Sequence, residues 1–290
     1  MTKRHAALGA AIAELKRSRA QEPEANAEFA LAHVLGCKRT ELSTRQATPG
    51  PWQRRFKAII HRIAGQHQPL SYALGCQDFM GIKLKVKAGA TLIPRPETDE
   101  LVAAVLGTIK TRWPRTTPLR LLDVGTGSGA IAIALWHFLH RHRQIDIVAT
   151  DISSAALAIA RANARNTGAH VRFKHADCLA TRSIGNFHAI ISNPPYLTEK
   201  RWHRLTSGIK KWEPKNALVA ADDGMAIHKR IIRQAKNRLA AGGFLALEMD
   251  PQQGPQLRHF LESHGYGNVR IVKDLQRRSR MILADYDGRV

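Results

Sequence analysis

A short proline-stiffened stretch, residues 192–196, combines side chains that could take part in chemistry. It reads Ser-Asn-Pro-Pro-Tyr and follows a buried-looking apolar run that ends at Ile191. Two consecutive prolines remove two backbone donors and hold φ, and Pro194 pushes Asn193 toward an extended conformation. The amide oxygen of Asn193 and the neighbouring carbonyls are then left as acceptors, with Tyr196 as an aromatic wall beside them.

Such a corner suits a planar amide or amino group that brings two N–H donors. The nitrogen of that group is a poor nucleophile because its lone pair is delocalised. Accepting hydrogen bonds from both of its protons would make the lone pair available to an electrophile. An ordinary turn at the end of a strand is the alternative interpretation, since Asn-Pro dipeptides often mark turns. The candidate catalytic and substrate-binding residues of this corner are Asn193, Pro194, Pro195 and Tyr196.

Alternating strands and helices after residue 118 would position this corner. The apolar runs predict helices between most consecutive strands, among them residues 225–239, which stop at the Gly242–Gly243 pair. This order is typical of a doubly wound α/β sheet with helices on both faces and an antiparallel C-terminal edge. The predicted strands cover residues 119–124, 145–150, 171–175, 187–193, 244–249, 268–273 and 280–285.

The N-terminal part differs in kind. Residues 5–67 carry helical periodicity and predict a small all-α domain over residues 1–70, whose expected task is partner recognition. Residues 71–95 then predict a β-hairpin linker, because apolar residues alternate with lysines from Ile82 onward. Residues 96–290 form the expected catalytic domain.

Composition narrows the class of protein. The 290 residues are 44% hydrophobic and 23% charged, as in globular proteins, and no apolar run approaches the ~20 residues of a membrane span. The three cysteines are far apart and odd in number, which indicates neither a disulfide framework nor a zinc cluster. We expect a cytoplasmic, monomeric protein without a bound metal.

The chain carries a net charge of +22, spread along its whole length. Such a charge attracts acidic partners, including RNA or a ribosome. Solubility, together with a compositional bias of the source, explains it equally well.

A glycine-rich loop, residues 125–129, follows the first strand of the predicted sheet, and Asp151 ends the second. Ligands of open α/β sheets bind beyond the carboxyl ends of the strands, where glycines admit close approach and a carboxylate accepts from ribose hydroxyls. A dinucleotide site expects G-x-G-x-x-G, whereas this loop is G-x-G-x-G preceded by Asp123. It resembles the S-adenosylmethionine loop of class I methyltransferases. The candidate cofactor-binding residues are Gly125, Thr126, Gly127, Ser128, Gly129, Asp151, Asp177, Cys178 and Asn193.

Three further residues each have a functional interpretation and a purely structural one. Asp177 and Cys178 follow the third strand, where the adenine would lie, but a loop carboxylate beside a small buried thiol explains them too. Arg95 lies between two prolines and is presented rigidly. It could bind a carboxylate of the substrate or cofactor, or merely cap a loop.

Six segments together resemble the protein N5-glutamine methyltransferases, in particular those that act on peptide chain release factors. The likeness runs from about residue 20 to the end. Its segments are residues 93–98, 123–129, 192–196, 213–214, 223–224 and 273–280. The resemblance implies S-adenosylmethionine as cofactor, the glutamine of a Gly-Gly-Gln loop as substrate, and release factors as partners. Three positions depart from the family pattern: Asp250 replaces a glycine, Asp99 a glutamate, and Cys178 an aromatic residue of some members.

Three alternatives stay open at this point. A DNA methyltransferase acting on adenine N6 or cytosine N4 uses the same acceptor corner, and the charge of +22 favours it. A glutamine methyltransferase of a ribosomal protein shares the Asn-Pro-Pro-Tyr core. A catalytically idle, basic binding protein would keep the fold without the chemistry, against which the intact corner argues.

Overall fold

A computed structural model describes residues 3–44, 50–180 and 185–288 of the chain. The chain divides into two compact units, Met1–Cys76 with Thr206–Trp212, and Gln77–Leu205 with Glu213–Val290. The domain boundaries that the sequence suggests, near residues 70 and 95, stay predictions.

Helices and strands follow one another in the order that the periodicity indicates. The helices are α1 (Lys3–Arg17), α2 (Pro23–Leu35), α3 (Trp52–Gln66), α4 (Leu70–Leu74), α5 (Pro96–Arg112), α6 (Ala130–Leu139), α7 (Ser154–Thr167), α8 (Glu199–Arg204), α9 (Ser207–Trp212), α10 (Ala226–Lys236) and α11 (Gly254–Ser263). The strands are β1 (Cys76–Phe79), β2 (Ile82–Lys85), β3 (Leu119–Val124), β4 (Ile145–Asp151), β5 (Val171–His175), β6 (Phe187–Ser192), β7 (Leu239–Glu248), β8 (Gly267–Lys273) and β9 (Ser279–Tyr286). None of the helices in these described ranges is long and apolar enough to span a membrane.

The first unit is helical, with its own apolar core. The apolar stripe of α3, which recurs at helical spacing from Trp52 to Ile63, is buried there together with Leu15 and Leu31. Helix α2 ends at Gly36, whose φ of 62° lets its N–H bond to the carbonyls of the last turn.

The second unit is built on a seven-stranded sheet with the order β5-β4-β3-β6-β7-β9-β8. Strands β3 to β7 are parallel, while β9 runs antiparallel to both β7 and β8. The chain leaves β3 toward β4 and β5 on one side and returns to β6 and β7 on the other. This confirms the predicted doubly wound α/β sheet with an antiparallel C-terminal edge and a small helical N-terminal part.

Alternate side chains of the strands pack into two separate apolar layers. On one face, Leu121 and Ile191 pack with residues of α5 and α6; on the other, Leu122 and Ile190 pack with residues of α10 and α11. The central strands are therefore apolar on both faces, as expected of parallel strands covered by helices. The polar groups that could do chemistry are left at the strand ends.

Register brings three of these strand ends level. Val124 at the end of β3 pairs with Thr150 of β4 and with Ser192 of β6. The glycine loop, Asp151 and Asn193 each follow one of these residues. The motifs therefore meet beside β3, where the strand order reverses.

One predicted element ends elsewhere in the structure. The helix predicted over residues 225–239 stops at Lys236, and β7 begins at Leu239 and runs through Gly242 and Gly243. The pairing with β6 jumps between Leu239 and Phe244, so the glycines lie in a bulge. A Cβ added to Gly243 would lie 2.9–3.1 Å from backbone oxygens, so the bulge favours glycine at this position. A glycine pair that is expected to end a helix therefore also fits a bulged strand.

Gly129 at the start of α6 is predicted to be a packing position. Its φ is 87°, and an added Cβ would lie 3.0 Å from Ile133 Cδ1 and 3.3 Å from Ala160 Cβ. Gly129→Ala should therefore destabilise the protein by about 1–3 kcal/mol in urea unfolding. The matched control is Gly107→Ala in α5, where no atom lies within 4 Å. It should stabilise by about 0.5–1 kcal/mol, and equal effects at both sites would contradict this assignment.

Candidate active site

The end of β6 and the residues after it form a ledge, residues 193–196, beside a cavity of about 450 Å³. Ser192 is fully buried and its hydroxyl donates to the carbonyl of Val124 at 2.6 Å, which ties the ledge to the end of β3. Asn193, Pro194 and Pro195 line the cavity. The structure therefore places three of the four predicted ledge residues on the wall of a single pocket.

A chain of hydrogen bonds fixes the side-chain amide of Asn193. Its Nδ2 donates to Thr98 Oγ1 at 2.9 Å, and the Thr98 hydroxyl donates to Glu248 Oε2 at 2.7 Å. Tyr196 donates its phenolic proton to the other oxygen, Glu248 Oε1, at 3.2 Å. Among the described residues no donor contacts Asn193 Oδ1. This oxygen is therefore available to a ligand.

Glu248 ends β7 and is completely buried. Burial raises its pKa to about 7, although the hydrogen bonds from Thr98 and Tyr196 lower it. Burial and the neighbouring Glu248 charge likewise raise the pKa of Tyr196, so this phenol stays protonated at neutral pH. The pKa of this carboxyl is thus raised well above that of an exposed glutamate.

The glycine loop forms the opposite wall of the cavity. Gly125 and Gly127 have φ of 70° and 57°, and a Cβ added to either would meet nothing within 4 Å. Both line the cavity. A ligand can therefore approach the backbone of the loop directly, which a side chain would prevent.

Asp123 at the base of the loop has a spare oxygen. Its Oδ2 accepts from the Thr126 hydroxyl at 2.6 Å and from the backbone N–H of Ala132 at 3.2 Å. Its Oδ1 is buried and has no partner among the described residues. Burial raises the pKa of Asp123 to about 7. An unpaired buried acceptor of this kind calls for a donor from a ligand or an ordered water.

Asp151 connects the loop to the end of β4. One carboxylate oxygen accepts from the Gly127 N–H and the other from the Ser153 N–H, each at 2.8 Å. A carboxylate has about four acceptor positions, so two remain for hydroxyl groups of a ligand. Asp151 lines the cavity, and its role at a ribose stays a prediction.

Asp177 and Cys178 line the cavity beyond β5. Asp177 is engaged by Arg230 Nη1 at 2.6 Å, a partner that the sequence did not reveal. Burial raises the pKa of Cys178 to about 12, so it is a neutral thiol and not a nucleophile. Both residues are therefore placed for contact with a ligand, and Arg230 is added to the same wall.

Arg95 does not line the cavity. It precedes α5, and its Nη2 lies 2.5 Å from Glu213 Oε1, whose side chain is 1% exposed. Burial raises the pKa of Glu213, and its Oε2 has no partner among the described residues. The guanidinium thus neutralises a buried carboxylate of the protein itself, while part of it remains exposed.

The departure from the family pattern at Asp250 causes no backbone strain. Its φ and ψ are −69° and 140°, an ordinary extended conformation that any residue adopts. Its carboxylate accepts from the Gln252 N–H at 3.0 Å and forms an ion pair with Arg201. An aspartate at this position therefore serves as a cap instead of supplying conformational freedom.

Comparison with known proteins identifies the family to which this chain belongs. Residues 95–208 match the family model described as methyltransferase small domain, and residues 6–75 match the PrmC N-terminal domain. The release factor glutamine methyltransferase of Escherichia coli K12 is 36% identical over 283 residues, 96% of this chain and 97% of that protein. The protein of the same name from Deinococcus radiodurans is 36% identical over 97% of this chain and 98% of its own length.

The chain belongs to the release factor glutamine methyltransferase family. Solved structures share the fold of such a methyltransferase. A methyltransferase from Pyrococcus furiosus is 18% identical with a TM-score of 0.52, covering 81% of this chain and 99% of that one. A 16S rRNA methyltransferase from Thermus thermophilus is 17% identical with a TM-score of 0.51, covering 73% and 49%.

S-adenosylmethionine is the cofactor of this methyltransferase, and the residues present fit it. The cavity volume lies within the usual range of ligand pockets, ~300–1,000 Å³. Glycines without side chains, spare acceptor positions on Asp151, and apolar lining by Ile152 and Ile131 suit a nucleoside joined to an amino acid. The loop spacing, G-x-G-x-G, differs from the G-x-G-x-x-G that a dinucleotide site expects.

Sequence reasoning missed three residues of the site. Thr98 is in the first turn of α5, Glu248 ends β7, and Arg230 is in α10. A signal existed for Glu248, because it is a carboxylate at the carboxyl end of a strand next to β6. No local signal marked Thr98 or Arg230, since their partners lie far away in the chain.

Proposed function

We propose that this protein transfers a methyl group from S-adenosylmethionine to the side-chain amide nitrogen, N5, of the glutamine in the Gly-Gly-Gln motif of peptide chain release factors. The observation that supports it best is the orientation of Asn193. Its Nδ2 is occupied by Thr98, so its Oδ1 is left as an acceptor on the wall of the cofactor cavity. An acceptor there suits the N–H of an incoming carboxamide.

The residues of the ledge would act by positioning. Asn193 Oδ1 and the Pro194 carbonyl accept the two protons of the substrate carboxamide, while Pro195 and Tyr196 hold its plane. A nitrogen held in this way has its lone pair directed at the cofactor. When bound, S-adenosylmethionine supplies an electrophilic methyl group. Orientation of this kind contributes at most ~7–11 kcal/mol to catalysis.

Proton release completes the reaction without a general base. The amide nitrogen would accept the methyl group as the bond from that group to sulfur breaks, and it would then release one proton to water. Because the positive charge of the cofactor would be spread out in the transition state, exclusion of water would favour the reaction. Apolar wall residues, among them Val124 and Ile131, provide such surroundings.

The proposed partner is the release factor itself. The helical domain would bind the release factor while the Gly-Gly-Gln loop of the release factor enters the cavity. The net charge of +22 supports a further attraction to RNA or to the ribosome. Cytoplasmic location and a monomeric state remain predictions, the first resting on the proposed substrate.

Methylation assays with labelled S-adenosylmethionine test this proposal. The protein is incubated separately with an intact release factor, a ribosomal protein and duplex DNA, and we expect label on the release factor alone. The matched control is a release factor whose Gly-Gly-Gln glutamine is replaced by glutamate, which should take up none. Label on DNA or on the ribosomal protein instead would support those alternatives and overturn the proposal.

Arg95 offers a separate prediction. Arg95→Ala leaves the buried Glu213 carboxylate unpaired and should destabilise the protein by about 3–5 kcal/mol. Combining it with Glu213→Gln should recover most of that loss in urea unfolding. If Arg95 also binds substrate, the double variant will regain stability but keep a raised KM for the release factor. A normal KM would show that Arg95 has a structural role alone.

A further inference from the structure

Thr98 and Glu248 lie behind the proposed acceptor, outside the motif that carries it. Asn193 donates to Thr98 at 2.9 Å and Thr98 donates to Glu248 at 2.7 Å. Thr98 is 4% exposed, at the wall of the cavity, and Glu248 is fully buried, so both contacts are shielded from bulk water. The chain of donors therefore runs in one direction, from the ledge to the carboxylate.

Proton counting shows why the direction matters. A threonine hydroxyl has a single proton, and here it is directed to Glu248 Oε2. The Thr98 oxygen is then an acceptor toward Asn193 and attracts the NH₂ end of its amide. With that end turned to Thr98, the carbonyl end of Asn193 is turned away from it. The ledge presents an acceptor because Glu248 accepts.

We propose that Glu248 is a positioning residue that sets the orientation of the Asn193 amide through the Thr98 hydroxyl, and that its ionised form is required for methyl transfer. This inference rests on the proposed function. It adds a pH-dependent element to a reaction whose substrate, a carboxamide, does not itself titrate near neutral pH.

Protonation of Glu248 would disturb the ledge whichever oxygen receives the proton. A proton on Oε2 faces the Thr98 hydroxyl, which must turn its own proton toward Asn193 and so favours the flipped amide. A proton on Oε1 faces the Tyr196 hydroxyl, which must then turn away. In both cases a ledge residue, either Asn193 or Tyr196, loses its support.

The charges around Glu248 place this change near neutral pH. Burial raises its pKa to about 7; Glu97 of α5 raises it further and Arg280 of β9 lowers it. From α10, His228 contacts the Glu248 backbone carbonyl, and burial lowers its pKa to about 4, so it stays neutral. Tyr196 stays protonated. Activity should therefore be lost as the pH falls through about 7.

The decisive experiment compares pH profiles of kcat for the wild-type protein and Glu248→Gln, with intact release factor at saturating cofactor. The glutamine mimics the protonated acid at every pH. We expect kcat at pH 8 to fall by about 10²-fold, as for misplaced catalytic groups, and the acidic limb of the profile to disappear. An acidic limb that persists in Glu248→Gln, or a variant with wild-type kcat at pH 8, would overturn the proposal.

Saturating cofactor is needed because Asp123 also titrates close to pH 7. Asp123 lies at the cofactor loop, so its protonation is expected to change cofactor affinity. Protonation of Asp123 is therefore expected to change KM for the cofactor and to leave kcat unchanged. Protonation of Glu248 is expected to change kcat, so the two parameters distinguish the two carboxyl groups.

Variants of Thr98 test the intermediate step. Thr98→Ser keeps the hydroxyl and should keep kcat within about threefold of wild type, whereas Thr98→Val keeps the shape and should lose about as much as Glu248→Gln. The double variant Thr98→Val with Glu248→Gln should be no slower than either single variant. Fully additive losses would show that the two residues act independently, against the proposal.

A loss of folding would give a different signature. A buried carboxyl with a raised pKa binds its proton more tightly in the folded state, so its ionisation lowers stability as the pH rises from about 4.5 to about 7. Glu248→Gln removes this cost, and its melting temperature at pH 8 should equal or exceed that of wild type. If the wild-type protein fails to methylate any release factor, the proposed function falls; if wild type is active and these variants match it, this inference alone falls.

Discussion

Asn193→Ala is expected to lower the rate of methyl transfer by at least about 10²-fold, with little change in the affinity for S-adenosylmethionine. The substitution removes Oδ1, the acceptor that Thr98 orients toward the cavity. The substrate amide would then keep a single acceptor, the Pro194 carbonyl, and lose the geometry that exposes its lone pair. The backbone of the ledge should persist because Ser192 still bonds to Val124.

Single-turnover assays with release factor measure the rate, and calorimetry measures cofactor affinity. The dissociation constant of the cofactor should rise by no more than about threefold, less than 1 kcal/mol. The matched control is Asn186→Ala at the opposite end of β6, where the side chain is exposed and the rate should be unchanged. Near wild-type turnover of Asn193→Ala would show that the roles assigned to the ledge are wrong.

Asp151→Ala should have the largest effect on cofactor binding, about a 10²–10³-fold rise in the dissociation constant. The carboxylate accepts from Gly127 and Ser153 and keeps acceptor positions for two ribose hydroxyls. Hydrogen bonds to a charged group contribute about 1.5–3 kcal/mol each, so losing two of them accounts for a change of that size. Loss of the Gly127 contact loosens the loop as well.

Ligand-induced stabilisation provides an independent readout of the same variant. At a cofactor concentration of 100 times the wild-type dissociation constant, binding stabilises the wild-type protein by about 2.7 kcal/mol. A 100-fold weaker variant would gain about 0.4 kcal/mol at that concentration. Thermal melts with and without cofactor can resolve this difference.

Asp146→Ala is the matched control for Asp151→Ala. Asp146 lies in the same strand but pairs with Arg120 at 3.0 Å and with Arg172 at 2.5 Å, away from the cavity-lining residues. Cofactor affinity should be unchanged in this variant. Equal losses in the two variants would mean that β4 as a whole was disturbed and that Asp151 has no special role at the ribose.

Two carboxyl groups of the site are buried, which lowers the stability of the folded protein when they are ionised. Asp123 and Glu248 are both buried carboxyl groups whose pKa values burial raises to about 7. Burial favours the neutral form of both, yet Asp123 lies beneath the glycine loop and Glu248 accepts from Thr98 and Tyr196 next to the ledge. Perturbed groups of this kind cluster at functional sites. In the proposed mechanism they would serve its two halves, cofactor binding and amide orientation.

The structure argues against one of the alternatives that the sequence leaves open, and the comparisons argue against another. An idle binding protein has no use for a buried Thr98–Glu248 pair that holds an amide in one orientation. A DNA methyltransferase would use the same ledge, but two relatives that this chain matches over 96–97% of its length are named release factor glutamine methyltransferases. The release-factor interpretation therefore explains both the site and the N-terminal part.

Periodicity predicted most elements of the second unit to within a few residues, because long apolar runs of period two or near 3.6 are local signals. It did not predict α8, nor α9 of the first unit, which have six residues each and are too short for a helical repeat to emerge. It also misplaced the end of α10, since the glycines at 242 and 243 serve a bulge in β7 instead of a helix end.

The sequence alone determined the family, the fold class, the cofactor loop and the ledge. Each of these motifs is contiguous, and a parallel sheet must bring the residues that follow its strands to one edge. Only the tertiary structure decided which end of the Asn193 side-chain amide is held by Thr98. Thr98 and Glu248 are 150 residues apart and Arg230 is 53 residues from Asp177, so no local pattern links them. Which end of the Asn193 amide is held by Thr98 depends on a hydrogen bond between residues 95 positions apart, which requires the tertiary fold.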